Sequence, residues 1–121
     1  MAQIGAAFYV LWGALHLQAA YLVYRLAARQ PASMVRGRLQ QSAWNLAFFA
    51  ILVMVVAVVF NWNNSALGYW INLITASVTD LGFIVFILAP GYLPLRPGAL
   101  GPILWLLATL FSTLGLLAVA I

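Results

Sequence analysis

Asp80 is the only acidic residue in this chain of 121 residues, and His16 is the only histidine. Each sits inside a long apolar stretch: Asp80 in ASVTDLGFIVF, His16 in YVLWGALHLQAAYLVY. A lone carboxylate in hydrocarbon is costly, so such a residue is a functional-site hypothesis by default. A carboxylate and an imidazole within reach of one another can share a proton, hold an ion pair, or act as acid and base. The pair is therefore the natural catalytic candidate, if the protein is an enzyme.

Much other chemistry is excluded within one chain. With one His, one Asp, no Glu and no Cys, neither a bis-histidine haem site nor a di-iron site can be assembled. A zinc site with three protein ligands is equally out of reach. There is no glycine-rich phosphate loop and no disulfide. No metal is expected, and the sequence names no cofactor.

The surrounding composition says where this pair must work. The chain is 67% hydrophobic and 5% charged, with a mean hydropathy of +1.10. Soluble domains carry about 25% charged residues, so the reading is an all-α membrane protein. The net charge of +4 does not point to nucleic acid, because no run of basic residues exists. Charges follow the first apolar stretch instead of preceding it, which argues against a cleaved signal peptide.

A helix needs about 20 apolar residues to cross a bilayer. Four segments qualify: 4–24, 39–60, 66–89 and 100–121. They form one transmembrane domain over 1–121. The connections RLAARQPASMVRGR, NWNNS and PGYLPLRPG hold the prolines, glycines and polar residues that end helices. The five arginines, Arg25, Arg29, Arg36, Arg38 and Arg96, fall in or beside the first and third connections. The positive-inside rule then places those connections in the cytoplasm and both termini outside. The expected architecture is a four-helix transmembrane bundle of two helical hairpins with the same orientation. The expected location is a multi-pass position in a bacterial-type inner membrane.

At 1.5 Å per residue, His16 lies roughly 18 Å and Asp80 roughly 21 Å from the outer starts of their spans. The two should therefore lie at one level, near the bilayer midplane, and meet if the first and third spans are close. His16 shares a stripe with Ala6, Gly13, Ala20 and Ala27, the small-residue face on which membrane helices approach. Asp80 has Ala76 and Ser77 one turn away, with Asn72 and Thr79 flanking. Asn45 is among the polar residues at the inner end of the second span, where it would line a vestibule or sit among headgroups. Gln18 lies on a different side of the first helix from His16.

The candidate ligand-binding residues are His16, Trp12, Asn72, Ser77, Asp80 and Asn45. The preferred expectation is a protein that binds or translocates a small apolar or amphipathic molecule, or a proton, through a pocket at His16 and Asp80. One alternative is an isomerase-type enzyme acting on a lipid-soluble substrate by His/Asp acid–base chemistry. Another is an accessory or structural subunit of a larger membrane complex. The expected partners are the lipid bilayer, a small apolar ligand, and a second copy or another membrane subunit, with no nucleic acid.

Overall fold

The computed structural model describes residues 1–120. It is all-helical, with four helices long and apolar enough to cross a membrane. Helix α1 spans Ala2–Ala28 and α2 spans Met34–Val59. Helix α3 spans Ala66–Phe83 and continues as a wider π-helical turn over Ile84–Leu88. A short turn, α4 (Leu95–Gly98), leads into α5, Leu100–Ala120. The helices exceed the expected spans at the arginine side of α1 and α2, because helical backbone continues past the apolar window. Ile121, the last residue of the expected fourth span, lies outside the described residues.

The ends of the helices follow from their residues. Pro31 cannot continue α1, and Ser33 caps α2 by accepting a hydrogen bond from the Arg36 backbone N–H at 3.3 Å. Between α2 and α3 the chain makes one 3₁₀ turn, Asn61–Asn63. It then reverses at Asn64, whose φ of 58° is left-handed, a region that asparagine tolerates.

Helix α1 is the spine of the bundle. It packs along α2 on one side and α5 on the other, and α3 closes the ring by packing against α2 and α5. The small residues of α1 explain the closeness. A Cβ on Gly5 would lie 2.3 Å from Ser112 Oγ of α5, and one on Gly13 would lie 2.9 Å from the Ala50 carbonyl oxygen of α2. Ala6, Gly13, Ala20 and Ala27 are all buried, as the stripe requires. The matching face of α3 is a run at four-residue spacing: Gly68, Asn72, Ala76 and Asp80. This ring order leaves α1 and α3 diagonal to each other, so only long side chains can join them.

Candidate functional site

Three side chains cross that diagonal. Trp12 and His16 stand one turn apart on α1, and their rings stack with centroids 3.8 Å apart. Asp80 reaches them from α3. The Trp12 indole N–H donates to Asp80 Oδ2 at 2.9 Å. His16 Nε2 lies 3.1 Å from Asp80 Oδ1. Asp80 is 0% exposed and His16 7%. The fourth side of the His16 ring is the backbone of α5, where a Cβ on Gly101 would lie 3.2 Å from its Cε1. A side chain at this position would press on the ring, so glycine suits this close approach of α5.

Hydrogen-bond chemistry fixes the proton count. His16 Nδ1 lies 2.7 Å from the Trp12 backbone carbonyl oxygen. A carbonyl only accepts, so Nδ1 carries a proton. Two states then satisfy the Nε2–Oδ1 contact. Either an imidazolium N–H donates to a carboxylate, or a carboxyl O–H donates to a neutral imidazole. One proton lies between the two atoms in both states, and the cluster has no net charge. The only acidic residue is therefore carried in an apolar bundle without an uncompensated charge.

The pair shares one level, which is also that of the first turn of α5. Gly101 is the second residue of α5, whereas α1 runs on from Leu17 to Ala28 past His16, roughly 18 Å of helix. Just beyond Asp80 the α3 backbone widens: the Ala89 N–H donates to the Ile84 carbonyl at 2.8 Å, five residues back.

The other expected ligand-binding residues are dispersed. Asn72 is on the buried face of α3 and donates to the Val53 carbonyl of α2 at 3.1 Å and to Asn61 Oδ1 at 3.0 Å. Its amide nitrogen is fixed by that carbonyl, so the Asn61 atom facing it is an oxygen. Ser77 is half-buried and accepts from the Trp105 indole N–H of α5 at 3.0 Å. Asn45 is exposed on α2, and so is Gln18 on α1. Thr79 bonds the Thr75 carbonyl of its own helix at 2.8 Å. Of the expected set, the structure unites Trp12, His16 and Asp80.

Gly101 and Trp105 were not expected to take part. Gly101 could have been singled out as a glycine at the start of a span, but nothing in the sequence sets its level against His16. Nearer the Asn61–Asn63 turn, two more contacts tie α5 to the rest. Asn64 Nδ2 donates to the Gly115 carbonyl at 2.9 Å, and the hydroxyls of Tyr69 and Thr113 are bonded at 2.9 Å.

Two open recesses, of about 390 and 300 Å³, lie at the same end as that turn, and neither is lined by Trp12, His16 or Asp80. Comparison with known proteins gives no match: no family model, no curated protein and no solved structure is similar to this chain.

Proposed function

We propose that this chain is a non-catalytic membrane subunit, an accessory or packing component, in which Trp12, His16 and Asp80 form a clasp between the diagonal helices. The observation that carries the reading is the saturation of Asp80. Both carboxyl oxygens are bonded within the bundle, and the residue is 0% exposed. A binding or catalytic carboxylate needs an open face toward its substrate. A polar side chain that joins membrane helices needs a partner on the next helix, which this one has. In this proposal the arginine-bearing connections face the cytoplasm of a bacterial-type inner membrane, following the positive-inside rule.

A second reading, a proton relay, is favoured by one observation: the clasp holds a shared proton, and the His16 side chain keeps 9% exposure. The two readings separate in liposomes. The purified full-length chain, reconstituted with a trapped pH-sensitive dye and a potassium gradient, should leak protons no faster than empty vesicles. Extracted from its native membrane in mild detergent, it should elute as an assembly larger than its own micelle-bound monomer. Proton flux from the chain alone that disappears in Asp80→Asn would refute the subunit reading and support the relay.

A further inference from the structure

The tip of the hairpin formed by α1 and α2 carries charge that the chain itself does not neutralise. Four of the five arginines stand there: Arg25 in the last turn of α1, Arg29 just after it, and Arg36 and Arg38 in the first turns of α2. Ala27, between the first two, is 0% exposed, so the hairpin stays closed to its tip and the four residues share one end. Arg25, Arg29 and Arg38 are exposed, and Arg36 is half-buried. The partners these side chains have are neutral. Arg38 Nη1 donates to Gln41 Oε1 at 3.0 Å, and the Arg25 guanidinium lies 6.0 Å from the centre of the Tyr21 ring. The one acidic side chain, Asp80, is buried and committed to Trp12 and His16. The counter-charge for the tip must therefore come from outside the chain.

A second observation sets the depth of these charges. Tyr24 adjoins Arg25, Tyr21 is one turn before it, and Trp44 is less than two turns from Arg38 along α2. The three rings are 55%, 59% and 78% exposed. Amphipathic aromatic side chains of this kind settle at the membrane–water boundary. The guanidinium groups beside them then lie at the level of lipid phosphates instead of far out in the water.

From the unneutralised charge and its depth we infer that the tip of the α1–α2 hairpin binds phospholipids of net negative charge through their phosphate groups. A guanidinium presents a fork of N–H donors that pairs with two phosphate oxygens at once. A zwitterionic lipid brings its own cation beside the phosphate, so its attraction and repulsion largely cancel. The inference rests on residence in a membrane and not on the role of the clasp. One arginine facing the head should favour the anionic lipid by about fivefold.

The test uses the full chain with a fluorescent dye on Ala32→Cys, an exposed position at the hairpin tip of a chain that otherwise has no cysteine. It is reconstituted in phosphatidylcholine vesicles doped with lipids spin-labelled near the head end of one acyl chain. At low salt, labelled phosphatidylglycerol should half-quench the dye at about fivefold lower mole fraction than labelled phosphatidylcholine. Labelled phosphatidylethanolamine, which has no net charge, should match phosphatidylcholine. The preference should shrink at high salt. It should be lost in an Arg29→Gln, Arg36→Gln, Arg38→Gln triple variant and retained when the same three positions carry lysine. Equal quenching by phosphatidylglycerol and phosphatidylcholine would overturn the inference and leave the counter-charge to another partner, such as an acidic protein. A preference undiminished in the triple glutamine variant would overturn it too. Neither result depends on whether the chain passes protons or joins a larger assembly.

Discussion

Two polar layers of the same bundle are built to different standards. Around Asp80, near the start of α5, both carboxyl oxygens and both His16 nitrogens have partners. Toward the Asn61–Asn63 turn, the buried Asn72 Oδ1 and Ser112 Oγ have none among the described residues. The layers differ in what an unmet partner costs. An unpaired charge in a low-dielectric interior is penalised far more than an unpaired hydroxyl, so the layer holding the only acid is saturated. Near the turn, packing geometry overrides hydrogen bonding: α1 and α5 approach so closely at Gly5 and Ser112 that Ser112 Oγ lies 2.3 Å from where a Gly5 Cβ would be.

This contrast can be broken at defined points. The largest effect is expected from Asp80→Leu, which leaves the Trp12 indole N–H and His16 Nε2 buried without a partner. A loss of about 2–5 kcal/mol is expected, read from unfolding midpoints in mixed micelles. Gly5→Val should follow, at about 1–3 kcal/mol, because the added methyls meet the α5 backbone, with Ser112 N only 2.7 Å from the first of them. A trapped α1–α5 crosslink should form more slowly in that variant. Trp12→Phe keeps an aromatic ring on His16 but removes the donor to Asp80 Oδ2, a loss of about 1–2 kcal/mol in the same assay. Ser112→Ala should be the mildest, within about 0.5 kcal/mol of the native protein or slightly stabilising, since the hydroxyl it removes is buried and unpartnered. Equal losses from Trp12→Phe and Ser112→Ala would erase the distinction between the layers.

Much of this architecture is legible in the sequence, for identifiable reasons. Four spans follow from apolar length and from Pro31, the asparagines near 61–64 and Pro90. The pairing of His16 with Asp80 follows because each is the only residue of its kind and both lie at one depth. The small-residue stripe of α1 is buried throughout. The sequence does not show how α5 is registered against α1, since a loop with three prolines does not set where the next helix starts. The role of Trp12 was hidden too, although it was among the candidate residues. Its indole reaches Asp80 only because α1 and α3 are diagonal, which depends on the ring order of helices. Asn72 was read as flanking Asp80, yet it shares the buried face at four-residue spacing and its partners are on α2 and in the Asn61–Asn63 turn.

The central claim is that the clasp needs a hydrogen-bonding pattern and not a charge. Asp80→Asn tests it most directly. The amide oxygen can accept from Trp12 and the amide nitrogen can donate to His16 Nε2, with Nδ1 still bonded to the Trp12 carbonyl. Measured by reversible unfolding in micelles beside Asp80→Leu, the asparagine variant should lie within about 1 kcal/mol of the native protein. A loss as large as that of Asp80→Leu would contradict the account, because the carboxyl's charge, and not its bonds, would then hold the bundle together.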